Sequence, residues 1–313
     1  FEYILQELLY EKKELANKKE YFDSIVDTII SIDRGKEFII AICNLIQRLN
    51  IDHLHIVGDI YDRGPFPHLI MDTLTEYNNL DIQWGNHDIV WMGAATGNWA
   101  CITNILRMNI SYNNFDMLEV GYGINLRPLA SFAAREYADE PCEKFMPHIL
   151  DENKYDPIDE HLAAKMHKAI AIMQFKVEGQ RIKAHPEYKM EKRLLLDKID
   201  FEKGTIKIEG KEWTLCDTGF PTIDPNNPYK LSKDEEKVLK SLEASILNSE
   251  KLQSHIRFLF THGALYKKVN GNLLYHGCIP MTETGEFAEV TINGRDYKGR
   301  ALMDYLDEQV RAA

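Results

Sequence analysis

Two short apolar runs, each ending in glycine and then in residue types that bind metal or phosphate, constrain this chain more than any other feature. The first reads L-H-I-V-G-D-I-Y-D-R-G-P from Leu54, and the second reads I-Q-W-G-N-H-D from Ile82 to Asp88. Leu54 to Val57 has the length and aliphatic content of a buried strand that delivers Gly58 and Asp59, and Ile82 to Trp84 delivers Gly85, Asn86 and His87 in the same way. Between them, Pro67 to Asn78 carries Leu69, Ile70 and Leu74 at helical spacing. The stretch therefore predicts a strand–helix–strand unit with both strand ends on one sheet edge, which in open α/β sheets is where ligands bind.

The residue types specify a chemistry. A carboxylate such as Asp59 can bridge two divalent cations roughly 3.5–4 Å apart, a pair that activates water for attack on a phosphoryl group. Asn86 offers a neutral oxygen to the second cation and to phosphate, and His87 beside it can protonate a leaving oxygen. Asp62 is placed to orient His87 by hydrogen bonding. Arg63, in a turn closed by Gly64 and Pro65, presents a planar fork suited to two phosphate oxygens. His262 closes an apolar run, Phe258 to Phe260, that reads as a further strand, and a lone histidine at a strand end is usually structural. His276 follows a hairpin turned by Asn270-Gly271, where it either points to the site or closes the sheet edge.

Elsewhere the pattern is mostly helical up to about Leu196. Glu2 to Ile32 carries Ile4, Leu5, Leu8, Leu9, Leu15 and then Tyr21 to Ile30 on amphipathic helices, followed after Gly35 by Phe38, Ile39, Ile42, Leu45 and Ile46. Leu162, Met166, Ala169, Ile170 and Met173 recur at helical spacing, as do Met190, Leu194 and Leu195. Asp33 reads as a turn residue, and Asp159 opens a helix. Thr205 to Ile208 and Trp213 to Cys216 alternate around a turn at residues 209–212, and Ser232 with Glu235 forms a capping-box pattern that opens a helix to about Leu252. A second Asn-Gly pair at Asn293-Gly294 follows a strand at Phe287 to Ile292.

A formal charge of −12 argues against nucleic-acid binding by phosphate neutralisation, while leaving room for a local cationic pocket whose field bound metals would supply. The five cysteines, Cys43, Cys101, Cys142, Cys216 and Cys278, lack CxxC spacing and read as reduced core residues. With no signal stretch and no apolar run near about 18 residues, a membrane partner is not expected and the cytoplasm is the expected location.

Both glycine motifs together resemble the binuclear metallophosphoesterase superfamily. The flanks I-M-D-T-L, D-I-Q-W-G-N-H-D-I-V-W-M-G-A-A-T-G and G-Y-G-I-N-L-R-P-L-A are similar to the class III, Firmicutes-type fructose-1,6-bisphosphatases over most of the chain. That resemblance implies an α/β fold: a calcineurin-like core, here an incomplete β-sandwich flanked by helices, with a large helical insertion. The expected division is 1–50 as N-terminal helices, 51–97 as the first part of the core, 98–200 as the insertion, and 201–313 as the second part of the core with a C-terminal helix. It implies Mn²⁺, with Mg²⁺ as the other choice, two ions per complete site, and a sugar bisphosphate substrate in gluconeogenesis, hydrolysed by metal-activated hydroxide. In this scheme Asp59 bridges, Asn86 and His262 ligate, Arg63 holds phosphate, His87 with Asp62 protonates the leaving oxygen, and His276, in H-G-C-I-P-M, is a second-rank substrate candidate.

The family's opening D-x-H motif is not found at a strand end, and none of the 11 histidines follows glycine, so a final G-H ligand is missing as well. The chain starts at Phe1 without Met and stops inside a helical pattern, which reads as a piece of a longer protein that binds metal weakly and hydrolyses little on its own. Its expected partners are the missing N- and C-terminal segments, and a homo-oligomer is compatible with the pattern. Two rival readings are a protein Ser/Thr or dinucleotide polyphosphate phosphatase on the same core, and a noncatalytic assembly or regulatory piece.

Overall fold

The computed structural model describes residues 16–77, 79–149, 159–277 and 279–313. The predicted apolar positions Ile4, Leu5, Leu8, Leu9 and Leu15, the helix end at Asn78, and Cys278 lie outside them. The chain divides into two compact units, 1–54 and 55–313.

The first unit contains helices α1 (Ala16–Ser31) and α2 (Gly35–Asn50), with Asp33 in a left-handed conformation (φ 56°) in the turn between them. Phe38, Ile42 and Leu45 of α2 are half-buried, whereas Ile39 and Ile46 are exposed. Ile39 and Ile46 follow Phe38 and Leu45 by one residue, which is about 100° around the helix and off the covered side.

β1 (Leu54–Ile56), which lies in the second unit from His55 on, forms a sheet with β2 (Leu80–Gln83) and β6 (Gly263–Ala264) in the order β1-β2-β6. Helix α3 (Pro67–Thr75) connects β1 to β2, as the spacing predicts, and starts on Pro67 where a missing N–H costs nothing. Directly after β2 comes α4 (Asn86–Ala95), so Asn86, His87 and Asp88 occupy the first turn of a helix. Helices α5 (Trp99–Ser111), α6 (Arg127–Glu136) and α7 (Glu160–Ala184) pack together around Ile102, Leu106, Leu129, Ala169, Ile170 and Met173, all buried. Of the predicted α7 positions, Met166, Ala169, Ile170 and Met173 are core. Asp159 is its N-cap, accepting from the Leu162 amide at 3.0 Å. By contrast, the Met190 to Leu195 stretch forms short 3₁₀ turns rather than a helix.

Three hairpins turn on two left-handed residues each. β4 (Thr205–Ile208) and β5 (Lys211–Thr214) flank Glu209-Gly210 (φ 47° and 81°). The turn is thus two residues rather than four, and the second strand starts at Lys211. β7 (Tyr266–Val269) and β8 (Asn272–Tyr275) flank Asn270-Gly271 (φ 48° and 78°), and β9 (Val290–Ile292) and β10 (Arg295–Tyr297) flank Asn293-Gly294 (φ 51° and 75°). Both are the sign pattern of type I′ turns, which match strand twist. β3 (Ile199–Asp200) pairs with β4, and α10 (Arg300–Ala312) follows β10. The architecture is therefore mixed α/β, with helices predominant and strands in small sheets of two or three.

The predicted strand at Phe258 to His262 is helical instead. Ser249 caps a new helix, α9 (Glu250–His262), after α8 (Lys233–Leu247) ends. Leu252, Ile256 and Leu259 form one buried helical face that continues through the apolar run. Only Gly263 and Ala264 are extended, pairing in parallel with Ile82 and Gln83. Of the described cysteines, all free, Cys142 alone is fully buried; Cys43 and Cys216 are exposed, which corrects the expectation of core residues. Among the described residues, no helix is long and apolar enough to cross a membrane.

Candidate metal and phosphate site

The ends of β1 and β2 touch because neither carries a side chain at the contact. Gly58 (φ 67°) and Asp59 (φ 53°) are consecutive left-handed residues that turn the chain out of β1. A Cβ on Gly58 would lie 2.6 Å from the Gln83 carbonyl and strike the Gly85 amide. One on Gly85 would lie 2.5 Å from the Asp59 amide and strike its carboxylate. Asp88, with no exposed surface, fastens the two loops. Its Oδ2 accepts from the Asp59 and Gly85 amides, both at 2.9 Å, and its Oδ1 from the Tyr61 amide at 3.3 Å. Burial pushes the Asp88 carboxyl above its ordinary range, against the pull of those three N–H groups. In return, the His87 amide donates to Asp59 Oδ1 at 3.1 Å.

Asp59, Asp62 and His87 each offer one donor atom within 4.8 Å of the others. His87 Nε2 lies 3.1 Å from Asp62 Oδ1, yet that oxygen is buried and has no aligned hydrogen-bond partner. His276, immediately after β8, reaches Asp59 and stands outside the three that share ligand spacing. Its Nδ1 lies 2.7 Å from the Val57 carbonyl, which can only accept, so Nδ1 carries the proton and Nε2 is the free lone pair of the neutral ring. That Nε2 sits 3.1 Å from Asp59 Oδ2. A lone pair facing a carboxylate calls for a cation between them or a proton on the ring. Metal-bound histidines characteristically donate their other N–H to such a carbonyl. Carboxylates and imidazoles are donors of the kind divalent first-row metals take.

Arg63 lies at the rim, its Nε 3.5 Å from Asp62 Oδ1 and its guanidinium 5.5 Å over the Tyr112 ring. Asn114 Nδ2 donates to the Arg63 carbonyl at 3.1 Å and so holds the turn. Asn86 is exposed on the first turn of α4, where backbone N–H groups and the helix dipole favour anions. His262 is not brought to this cluster. Because Ile82 pairs with Gly263, His262 falls level with Asp81 at the amino end of β2, whereas Asn86 and His87 follow its carboxyl end. Its ring stacks on Phe258 at 4.1 Å. Asp88, which the motif contains but to which no role was assigned, was recognisable as an acidic residue three positions after the glycine that opens a helix.

Comparison with known proteins bears on the whole chain. The sequence matches the family described as Firmicute fructose-1,6-bisphosphatase over residues 1–313. It is 63% identical over 313 residues to the fructose-1,6-bisphosphatase class 3 of Fusobacterium nucleatum, covering 100% of this chain and 47% of that protein. To the protein of the same description from Clostridium acetobutylicum it is 56% identical over 311 residues (99% and 47%), and to that from Bacteroides thetaiotaomicron 54% over 314 residues (100% and 47%). The chain thus spans about half the length of the curated relatives it matches. No solved structure matches it.

Proposed function

Because the chain belongs to the Firmicute fructose-1,6-bisphosphatase family, we propose that it carries part of a metal-dependent phosphomonoesterase that converts fructose 1,6-bisphosphate to fructose 6-phosphate and phosphate. We read the β1-β2-β6 sheet as part of a calcineurin-like core and the cluster at its carboxyl edge as the reacting site. The observation that carries this reading is the gathering of Asp59, Asp62 and His87 donor atoms within 4.8 Å of one another, with His276 Nε2 3.1 Å from Asp59 Oδ2.

Asp59 and His276 would hold the metal, with Asn86 at the rim, while Asp62, within ligand spacing of Asp59 and His87, supports His87; His262 stands outside this donor set. Mn²⁺ is the ion the resemblance favours, and when bound such ions supply Lewis-acid charge at phosphoryl oxygens and a nucleophile at neutral pH. Arg63 binds two phosphate oxygens through its fork, helped by the amino end of α4. His87 gives a proton to the carbon-1 oxygen of the sugar as the bond from that oxygen to phosphorus breaks, and Asp62, 3.1 Å from its Nε2, stabilises the imidazolium that carries this proton. Asp88 keeps the two loops in contact throughout.

Phosphate release in Mn²⁺ by the longer protein of which this chain is read as a part, from fructose 1,6-bisphosphate and from a phosphopeptide in parallel, tests the reading. Release from the sugar bisphosphate, lost on His87→Asn, is the expected result. Release from the phosphopeptide alone would assign the site to protein substrates, and full activity of His87→Asn would remove the proton-donor role.

A further inference from the structure

Tyr61 lies inside the loop that carries Asp59 and Asp62, but its hydroxyl is engaged elsewhere. It meets the Tyr122 hydroxyl at 2.9 Å, Tyr122 meets His255 Nδ1 at 3.1 Å, and His255 Nε2 meets Asp72 Oδ1 at 3.1 Å. Lys251 Nζ closes the chain on Asp72 Oδ2 at 2.7 Å. Tyr61, Tyr122 and His255 are 1%, 3% and 4% exposed, so water reaches only the Asp72 and Lys251 end. The chain spans three elements: Asp72 on α3, Tyr122 directly after a π-helical turn at Met117–Gly121, and Lys251 and His255 on α9. Ser249, the cap of α9, donates to the Tyr122 carbonyl at 2.5 Å and so ties Tyr122 to the helix that presents His255. Two of these residues come from segments that the reaction leaves unused, I-M-D-T-L for Asp72 and G-Y-G-I-N for Tyr122.

The protons in this chain can run one way only. The Asp72 carboxyl, despite some burial, is held below its ordinary range by Lys251 and His255, so it accepts from His255 Nε2–H. Burial pushes the His255 ring down, Asp72 opposes this, and Lys251 and His68 add to it, which leaves the ring neutral near pH 7. A neutral ring with its proton on Nε2 accepts at Nδ1 from the Tyr122 hydroxyl, which in turn accepts from Tyr61. Turning any link around would leave the buried Tyr61 proton without its acceptor, at a cost of about 1–3 kcal/mol.

We propose that His255 is a positioning residue for the carboxylate loop: by accepting at Nδ1 it orients the Tyr122 and Tyr61 hydroxyls in a single direction and so fixes Asp59 and Asp62 against His87. Its effect on metal binding rests on the function proposed above; the order it imposes on the loop does not.

The test uses the 313-residue chain, with Mn²⁺ alone as the probe. The ¹⁵N spectrum of His255 at pH 7.5 is expected to show a neutral ring protonated on Nε2; a proton on Nδ1, or a charged ring, overturns the proposal. His255→Gln keeps an acceptor and should bind Mn²⁺ within about 3-fold of the parent, whereas His255→Phe keeps none and should bind about 10-fold more weakly with unchanged helical circular dichroism. Equal losses in both variants, or none in the Phe variant, overturn it. Should His255→Phe fail to fold, Tyr122→Phe removes only the hydroxyl and is expected to show the same weakening; unchanged affinity there also overturns it. If the unaltered chain binds no Mn²⁺, the metal reading falls, and hydrogen exchange of the Tyr61 amide decides the relay, faster in the Phe variant if the proposal holds and unchanged if it does not.

Discussion

His276 reaches Asp59 across most of the length of the chain, with Nε2 3.1 Å from Oδ2 while Nδ1 is committed to the Val57 carbonyl at 2.7 Å. One ring thus spans the loop after β1 from its backbone to its carboxylate. Replacement of His276 by Ala should lower Mn²⁺ affinity about 10-fold or more, read by titration calorimetry, because it deletes a donor already oriented by its other nitrogen. His262→Ala, at the amino end of β2, should change it by less than about 2-fold. The reverse ranking would move the metal away from Asp59.

Gly85→Ala tests the contact between the loops. The new methyl would occupy the space of the Asp59 carboxylate, so that carboxylate must move. Overpacking of this kind costs about 1–3 kcal/mol, and the expected signature is a large fall in metal affinity for a modest fall in the urea midpoint.

Asp88→Ala should cost more, about 3 kcal/mol or more of stability, because three amides lose a charged acceptor in a buried place. Asp88→Asn, which keeps one acceptor oxygen, should recover part of the loss in urea unfolding.

The loops were legible in the sequence because glycine next to Asp or Asn after a short apolar run is an unambiguous stop for a strand, and both stops fell within a helix's length of each other. His262 was misplaced for a physical reason. Phe258, Leu259 and Phe260 have strand composition, but Leu252, Ile256 and Leu259 carry a helical period through them, and a run of three apolar residues cannot arbitrate between the two. His276 was only half legible, since the Asn270-Gly271 turn announced its hairpin but nothing local aimed it at Asp59. The Tyr61–Tyr122–His255–Asp72 chain left no local pattern at all, because each partner comes from a different element and only packing unites them.

Away from the site, Lys176 and Glu235 form a fully buried pair at 2.8 Å, and Lys176 also donates to the Thr222 carbonyl at 2.6 Å. Burial pulls the Lys176 ammonium below its ordinary range, with Glu235 opposing. Glu235→Ala strands that cation and also removes half of the capping box on α8, so about 3–5 kcal/mol should be lost in denaturant unfolding. Replacing both residues by apolar ones should cost less than the single change.

Acid should weaken the fold before the carboxylates titrate. Burial lowers the folded-state values of His68, His167 and His255 from 6.5. As pH falls through about 6.5, the unfolded chain therefore takes up protons first, and stability that is present above this value declines until the folded histidines also titrate. Asp72, lowered in the folded state, contributes in a separate window, losing its share only as pH falls below the ordinary carboxylate range. Urea midpoints should drop between pH 7.5 and 5.5, and His167→Gln should flatten the slope; an equal slope in that variant would assign the effect to other groups.

Asp59 holds its position at φ 53°, a conformation that costs a residue with a side chain about 1–2 kcal/mol and a glycine almost nothing. Asp59→Gly should therefore relieve strain while deleting the carboxylate around which the two loops gather. A screen that rewards heat resistance alone would drift toward that glycine, and only selection that also demands turnover would retain the aspartate.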